Sequence, residues 1–371
     1  MKRRDFLLNL SAALPAATLL TMPDRARGLG AAQARLSADW RTFEIATSVE
    51  VASPAGRTCL WLPVPSSRRT SYQVALDTRW EASGATRAAL ITAPEYDVVL
   101  LRVEWEDSKS AGHVALTNRV ATRNRRVDVT TPAAAVQTHE TDAVLHTYLR
   151  ATSLLPTGGI VKETAEKITR DCRGDMQKAR AIYEWVVDNT SRDPKTPGCG
   201  MGDVASMLKS GYLGGKCADI NALFVALARS ARIPARDAYG IRVADSRLGF
   251  KCLGRSGDIS KAQHCRAEFY ARGVGWVPVD PADVRKVMLE EEPGGLPMGD
   301  PKVQAARSAL FGSWEMNWVA YNHGHDVGLP GSAKGAIPFL MYPNGETAGG
   351  RLDSLSPSTF RYEIRVREVP A

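Results

Sequence analysis

The segment "GGKCADINALFVALARSARIPAR", residues 214–236, places one cysteine between a glycine-rich turn and an apolar run of helical period. Cys217 is therefore predicted to begin a helix that ends before Ile233-Pro234. The unsatisfied N–H groups and the dipole at a helix start favour negative charge, so a thiolate there is stabilised. The glycines Gly214-Gly215 allow close approach, and backbone N–H groups at this turn are suited to holding an oxyanion. These features predict a nucleophilic thiol.

A nucleophilic thiol needs a base and a group that orients the base. Among the six histidines His264 is the best candidate, because it begins the strand-like segment "HCRAEFY", whose alternation puts His264 and Arg266 on one face. Asp280 precedes a proline in "GWVPVDPAD", at the end of the next predicted strand. The short "RGVG" connection predicts a hairpin that keeps His264 near Asp280. The order of the three residues predicts a triad of Cys217, His264 and Asp280.

Each member of this triad has a structural alternative when it is taken alone. A lone cysteine at a helix start is usually packed or capping. His264 alone would more often be a hydrogen-bonded structural histidine, and Asp280 alone a turn residue before Pro281. The three residues in this order favour catalysis over those alternatives.

Five further residues near the cysteine in sequence are candidates for the cleft. Tyr212 lies upstream of Cys217 and is considered as an oxyanion donor outside the backbone, and Gly215 as a backbone donor. Lys216, together with Asp219 and Asn221, either lines the cleft or solvates the first turn of the helix.

Four pieces of the sequence together resemble the transglutaminase-like superfamily, whose core is related to the papain-like cysteine proteases. They are "AIYEWVVDNT", "GGKCADINALFVALARSARIPAR", "HCRAEFY" and "GWVPVDPAD", within residues 140–290. The resemblance implies that Cys217 is the nucleophile, His264 the general base and Asp280 the residue that holds the imidazole. The family often has an aromatic residue two positions after the histidine, where this chain has Arg266. That departure implies a change in substrate preference or in the charge of the cleft.

The strand and helix patterns predict an α+β fold. Residues 35–135 contain "FEIATSVEV", "TCLWLPVP", "DVVLLRVEW" and "HVALTNRV", which predict an N-terminal β-sandwich-like domain. Residues 140–290 contain helical segments at 141–152, 161–169 and 176–190, and are predicted to form a papain/transglutaminase-like core with the helix-start cysteine packed on an antiparallel sheet. Residues 300–371 are predicted to be an aromatic and strand extension that packs on either unit.

Three local patterns carry further expectations. The insertion 244–262, rich in Gly, Ser and Lys, is typical of a lid or binding loop. Trp314, Trp318 and Tyr321 are spaced by four and three, which predicts the apolar face of a short helix. The run "RNRRVD", residues 123–128, is interpreted as a solvated strand edge.

The first residues read as an export signal. "MKRRDFLLNLSAALPAATLLTMP" joins the pair Arg3-Arg4 to an apolar run that is short for a membrane span. We interpret residues 1–34 as a twin-arginine signal with cleavage after Ala32-Gln33-Ala34, which implies a periplasmic or otherwise exported protein without a stable membrane span. The alternative is an amphipathic terminal helix.

Composition narrows the class of protein. The chain has 371 residues, 44% of them hydrophobic, and a formal charge of +8. Five basic and two acidic residues fall within 1–34, so removal of that segment leaves +5. Because no basic stripe with interleaved aromatics stands out, nucleic acid is not an expected partner.

Six cysteines in an exported chain suggest disulfides, but spacing cannot fix their pairing. The pairs Cys252–Cys265 and Cys172–Cys199 are both open. The absence of a C-x-x-C motif argues against a disulfide oxidoreductase.

Metal and cofactor sites are not expected. His323, His325 and Asp326 have the look of a metal triplet, but ligands confined to four residues fit zinc poorly. The acyl-transfer chemistry predicted for Cys217 requires no cofactor.

The sequence therefore predicts cysteine-dependent acyl transfer on peptide or carboxamide bonds. Hydrolysis, as a protease or amidase, is favoured over cross-linking because water is the abundant acceptor and no acceptor-amine pocket is evident. The expected partner is a protein or peptide substrate, with cell-wall peptide among the possibilities. A non-catalytic peptide- or glycan-binding module on the same fold is the alternative.

Overall fold

The computed structural model of the chain describes residues 26–28, 37, 39–51, 56–106, 112–130, 140–356 and 360–370. The predicted export signal lies outside the described residues, apart from a short strand at 26–28.

Seven α-helices are formed by the described residues. They are α1 (Asp142–Thr147), α2 (Ile160–Thr169), α3 (Gly174–Asn189), α4 (Val204–Ser210), α5 (Cys217–Ser230), α6 (Pro281–Glu290) and α7 (Pro301–Ala309). The first three fall in the predicted helical segments, although α1 stops short of residue 152. Within the described part of the chain, each helix is too short or too polar to cross a bilayer.

The strands of the described residues divide at α3 into two runs. The first run is β1 (Ala26–Gly28), β2 (Arg41–Val51), β3 (Thr58–Val64), β4 (Gln73–Ser83), β5 (Arg87–Ala93), β6 (Val98–Trp105), β7 (His113–Thr122) and β8 (Arg125–Arg126). The second run is β9 (Ser191–Arg192), β10 (Gly214–Gly215), β11 (Ala235–Arg242), β12 (Gly257–Asp258), β13 (Gln263–Ala271), β14 (Gly275–Val279), β15 (Ser313–Trp314), β16 (Trp318–Asn322), β17 (His325–Val327), β18 (Ile337–Phe339), β19 (Asn344–Thr347), β20 (Gly350–Leu352) and β21 (Phe360–Val369).

Two antiparallel sheets form a sandwich. Their strand orders are β1-β4-β7-β2-β21-β12 and β20-β19-β3-β6-β5. Strand β2 alternates buried and more exposed residues, as expected for a strand with one face on a core. Buried side chains from both sheets meet between them, including Val49, Leu60, Val103, Leu116 and Phe360. The sandwich predicted from the first strands is present, and β19, β20 and β21 complete it.

A second layer packs helices on the four-stranded antiparallel sheet β14-β13-β11-β16. Helix α5 contacts β13 and β11, and every residue from Cys217 to Arg229 is buried. A helix that is apolar on nearly all sides belongs inside a protein rather than at its surface. The predicted arrangement, a helix-start cysteine on an antiparallel sheet, is therefore confirmed.

The expected short helix around Trp314 and Trp318 is wrong. Trp314 lies in β15, while Trp318 and Tyr321 lie in β16, which pairs with β11. A Cβ built on Gly240 would lie 2.6 Å from the Trp318 ring, so the indole occupies space that only glycine leaves open. Pairing with the buried strand β11 thus decides the structure here, although the spacing of the three aromatic residues by four and three is that of a helix.

Asp219 fixes the chain on both sides of Cys217. Its Oδ1 accepts the N–H groups of Met201 and Gly202 at 2.9 Å each, and its Oδ2 accepts Lys216 N–H at 2.9 Å. A Cβ on Gly200 would lie 1.9 Å from Asp219 Oδ2, and the Gly200 backbone has φ +92°. The start of α5 therefore depends on a glycine seventeen residues upstream of the nucleophile.

Glu268 anchors β13 to the strands around it. Its carboxylate forms ion pairs with Arg236, at 2.6 Å, and with Arg125. Arg125 also stacks on Trp314, with 4.8 Å from its Cζ to the ring centroid. The prediction that residues 123–128 form a solvated edge is wrong at Arg125, because this guanidinium is drawn inward by a fully buried carboxylate.

Replacement of Gly200 by Ala should destabilise the protein more than a φ penalty alone explains. Gly211 is the matched control, because it has φ +71° with no atom within 4 Å of a built Cβ. We expect Gly211→Ala to cost about 1–2 kcal/mol and Gly200→Ala about 2 kcal/mol more, from overpacking against Asp219. Urea unfolding measures both. Equal losses would show that Asp219 moves aside freely.

Loss of the Glu268 charge should leave two buried guanidinium groups unpaired. We expect Glu268→Gln to lower the free energy of unfolding at neutral pH by about 3–5 kcal/mol. Burial opposes ionisation, but Arg125 and Arg236 hold the pKa of Glu268 well below its usual range. Its contribution is therefore present above the unfolded pKa of about 4.3 and is lost as the pH falls below it.

Urea unfolding at neutral pH and near pH 3.5 checks this expectation. The gap between wild type and Glu268→Gln should narrow in acid. Glu363→Gln is the control, since that carboxyl is 48% exposed beside Arg365 and should change stability by less than about 0.5 kcal/mol. A gap that is the same at both pH values would contradict the ionised pair.

Candidate active site

Cys217 is a buried thiol at the first position of α5. It lines a cavity of about 890 Å³ to which α5, β13 and the loop before α4 contribute. The first N–H groups of a helix have no intrahelical acceptor, and here the Ala218 N–H is bound instead by the Cys199 carbonyl at 2.9 Å. Cys217 therefore combines burial with an opening large enough for a peptide segment.

His264 and Asp280 meet at the end of the hairpin that the sequence predicts. Strands β13 and β14 pair from Ala267↔Val279 to Ala271↔Gly275. His264 Nε2 lies 2.8 Å from Asp280 Oδ2. Because Nε2 faces the carboxylate, Nδ1 is the ring nitrogen left for the Cys217 thiol, which lines the same cavity as His264. The structure thus brings together the three residues of the predicted triad.

The second oxygen of Asp280 is also occupied. Oδ1 accepts the N–H of Asp283 at 3.1 Å, which caps α6, and the amide of Asn221 at 3.4 Å. Asn221 Nδ2 also donates to the Cys265 carbonyl at 2.9 Å. Asn221 is fully buried, so it ties α5 to β13 instead of solvating the helix start.

A second carboxylate stands beside the imidazole. Asp283 Oδ1 is 3.4 Å from His264 Nε2, and Arg242 Nη2 holds both Asp283 oxygens at 2.6 and 2.8 Å. Burial and Arg242 work against charge on the ring, but Asp283 and Asp280 outweigh them and raise the pKa of His264 above its usual value. The geometry therefore favours an imidazolium.

The same three groups place one potential ligand atom each within 4.8 Å. Two guanidinium groups already face the carboxylates, since Arg242 binds Asp283 and Arg266 Nε is 3.7 Å from Asp280 Oδ2. A dication would have to share the carboxylates with both cations, so the donor set fits an ion-pair network better than a metal centre.

Two further thiols surround the nucleophile. The Cys199 thiol lines the same cavity as Cys217 and lies 3.4 Å from the Gln263 carbonyl oxygen. Cys199, then Cys265 and His264, stabilise the thiolate and lower the pKa of Cys217 well below its usual value, against the effect of burial. All six cysteines are free, so neither of the open pairings, Cys252–Cys265 or Cys172–Cys199, forms.

Arg266 does not line the cavity. Its Nη1 donates to the Glu315 carbonyl at 3.0 Å, and its Cζ lies 4.8 Å from the centroid of the Trp318 ring. Burial lowers the pKa of Arg266 to about 10. It therefore acts behind Asp280, as a buried counter-charge held by an aromatic residue, and offers no charge to a substrate.

The remaining sequence candidates separate into two groups. Lys216 lines the cavity directly before the nucleophile. Tyr212 is 59% exposed, donates to Asp193 at 2.8 Å and lies outside the residues that line the cavity. A Cβ on Gly215 would meet Asp219 Oδ2 at 2.5 Å, so the glycine is needed there for packing.

Several residues of the site were missed by the sequence reasoning. Asp283 is the second acid of "DPAD", at the third position of α6, and this spacing was a usable signal. Arg242 and Tyr342 lie on distant elements and give no local signal. The insertion 244–262, predicted to be a lid or binding loop, does supply part of the cavity wall, including Lys251 and Arg255.

His323 and His325 serve different partners. His323 Nδ1 donates to the Asp237 carbonyl at 2.9 Å, whereas His325 Nδ1 faces Asp326 at 3.4 Å. The two imidazoles therefore do not converge on one point with Asp326.

Comparison with known proteins agrees with this geometry. Residues 162–281 match the model of the transglutaminase-like superfamily core. An uncharacterized protein of Haemophilus influenzae is 36% identical over 344 residues, covering 88% of this chain and 91% of that protein. The crystal structure of a candidate cysteine protease from Cytophaga hutchinsonii has a TM-score of 0.56 at 15% identity, covering 94% of this chain and 93% of that one. With the core matched and a relative of this identity along nearly its whole length, the chain belongs to the transglutaminase-like superfamily, a superfamily of cysteine-dependent catalysts.

Proposed function

We propose that the protein catalyses acyl transfer from peptide or carboxamide bonds through Cys217, His264 and Asp280. The observation that carries the proposal is the buried bond of 2.8 Å between His264 Nε2 and Asp280, beside a thiol at a helix start in a cavity of about 890 Å³. A packed structural cysteine needs neither an oriented imidazole nor access to a cavity.

In the proposed reaction the Cys217 thiolate attacks the carbonyl carbon, and the carbonyl π electrons move to oxygen. The backbone N–H of Cys217, at the start of α5, stabilises the resulting oxyanion. His264 gives its proton to the leaving nitrogen as the C–N bond breaks, which leaves a thioester on Cys217 and a free amine. Asp280 holds the ring of His264 in place in both its charged and its neutral form.

Release of the acyl group reverses the proton movements. His264 takes a proton from water, the hydroxide oxygen bonds to the thioester carbon, and the C–S bond breaks to give a carboxylic acid and the Cys217 thiolate. An amine in place of water would give a new amide. We favour hydrolysis, because water reaches an open cavity and no acceptor-amine pocket is evident in the sequence.

The proposal includes export by the twin-arginine route, for which the Arg3-Arg4 pair and the apolar run after it are the support. It also includes the division into a β-rich unit at 35–135, a catalytic core at 140–290 and an extension at 300–371. The shared sandwich of the first and third segments supports treating them as one supporting structure.

Alkylation of the folded protein between about pH 5 and pH 9 tests the activated thiol without a substrate. Peptide-resolved mass spectrometry follows each cysteine separately. We expect Cys217 to react well below the ordinary thiol pKa of about 8.5, and to lose that reactivity in His264→Ala. Cys59 is an internal control, because burial raises its pKa to about 11. An inert Cys217 in folded wild type would contradict the proposal.

The turnover test uses a protein digest and a fluorescent monoamine together. Amide cleavage is read as new amino groups and transfer as incorporated label. Cys217→Ala should lower either signal at least about a thousandfold. Binding of peptide without any reaction, combined with an inert Cys217, would favour the non-catalytic binding module instead.

A further inference from the structure

The walls of the Cys217 cavity carry one sign of charge. Among the described residues that line it there are seven cationic side chains and no carboxylate; the cations are Arg192, Lys216, Arg242, Lys251, Arg255, Lys261 and Lys286. A cleft lined by one sign of charge with low-dielectric walls concentrates ligands of the opposite sign. The cavity is therefore suited to a negatively charged ligand.

Three of these cations are already compensated. Arg242 is bound by Asp283 at 2.6 Å, and Arg192 and Lys286 share Glu290. Those three charges hold elements of the protein together and are not available to a ligand.

The other four form no salt bridge among the described residues, although the carboxylates of Asp193 and Asp258 lie in the neighbourhood of Lys216 and Arg255. The four are Lys216, Lys251, Arg255 and Lys261. The nearby acid Glu291 turns instead to the N–H groups of Lys251 and Cys252, at 3.2 and 3.1 Å. Arg255 donates only to a carbonyl, that of Asp258 at 3.0 Å. The positive charge of this group is thus left to the cavity.

Two of these cations lie close to the reacting groups along the chain. Lys216 directly precedes Cys217, and Lys261 comes three residues before His264. Lys251 and Arg255 belong to the insertion 244–262 and line the same cavity. A peptide whose amide lies between thiol and imidazole would therefore have a cation near each of the two reacting groups.

A buried amide donor in the cavity wall is a second observation that indicates a ligand. Gln263 lines the cavity, is only 8% exposed, and its Nε2 makes no hydrogen bond of normal length within the described chain, although the Tyr362 hydroxyl lies beside it. A buried amide donor without an acceptor is costly. A ligand oxygen in the cavity would remove that cost.

We propose that the cleft is selective for acidic peptides, with carboxylates next to the amide that Cys217 attacks. This inference rests on the proposed function for its reaction, but the binding it describes does not require turnover. The ligand carboxylates pair with Lys216, Lys251, Arg255 and Lys261, and a ligand oxygen accepts from Gln263.

Two alkylating agents of nearly equal size measure the preference at the thiol itself. Iodoacetate carries a carboxylate and iodoacetamide does not. The rate of Cys217 alkylation by iodoacetate divided by the rate with iodoacetamide therefore reports the local charge. We expect Lys251→Glu combined with Lys261→Glu to lower this ratio about tenfold, while labelling by iodoacetamide continues. Arg247→Glu is the matched control, because Arg247 is in the same insertion, is 67% exposed and lies outside the cavity lining. It should leave the ratio unchanged.

Calorimetry on Cys217→Ala measures binding apart from chemistry. The probes are end-blocked pentapeptides, one with glutamate on both sides of a central glutamine and one with glutamine in all three positions. We expect the acidic peptide to bind at least about tenfold more tightly, and to lose that advantage in about 0.5 M salt.

The outcomes separate the two proposals. Equal affinity for both peptides, or an unchanged alkylation ratio in the double variant, overturns the acidic preference even if Cys217 is reactive. Selective binding of the acidic peptide with an inert Cys217 supports the preference and overturns the catalytic proposal.

Discussion

One carboxylate, that of Asp280, joins the elements that make the site. Its Oδ2 faces His264 at 2.8 Å, and its Oδ1 accepts the Asp283 N–H in the first turn of α6 and the amide of Asn221 on α5. Two helices and a strand therefore share one buried charge. A buried carboxylate is tolerated only when its oxygens are hydrogen-bonded. The contacts that pack α5, α6 and β13 around Asp280 are therefore also the contacts that orient the imidazole.

The second pair, Arg242 with Asp283, makes this arrangement electrostatically possible. Burial, together with the neighbouring Asp283, raises the pKa of Asp280, whereas Arg242 holds that of Asp283 down against burial. Without Arg242, two carboxylates and an imidazole would be buried with too little positive charge. The guanidinium keeps Asp283 ionised beside His264.

The three residues of the proposed triad could be selected from the sequence because each lies at a recognisable boundary. Cys217 begins a helix after two glycines, His264 begins a strand and Asp280 ends the next one before proline. The sandwich could likewise be predicted from alternation in its first strands. Local patterns of this kind predict which helices and strands form. The short connection between β13 and β14 predicts that these two strands are neighbours.

What could not be predicted depends on contacts between distant segments. Cys199 lies beside Cys217 because its carbonyl accepts the N–H of Ala218 at 2.9 Å, whereas the six cysteines of an exported chain suggested disulfides. The spacing around Trp318 predicts a helix. The residue lies in a sheet because Gly240, which has no side chain, leaves room for the indole. The charged run around Arg125 predicts a solvated side chain, but the fold brings Arg125 to its buried partner Glu268. In each case the deciding neighbour lies far along the chain.

The position of β21 affects when the site becomes complete during synthesis. This strand pairs with β2 along ten residues, from Thr42↔Val369 to Val51↔Phe360, and Phe360 and Tyr362 also line the cavity of Cys217. All three triad residues leave the ribosome well before β21 does. The growing chain therefore carries Cys217 and His264 together before it has a finished cleft. The cavity, with its walls of cations and aromatic rings, is completed only when β21, which is synthesised after all three of these residues, joins the sandwich.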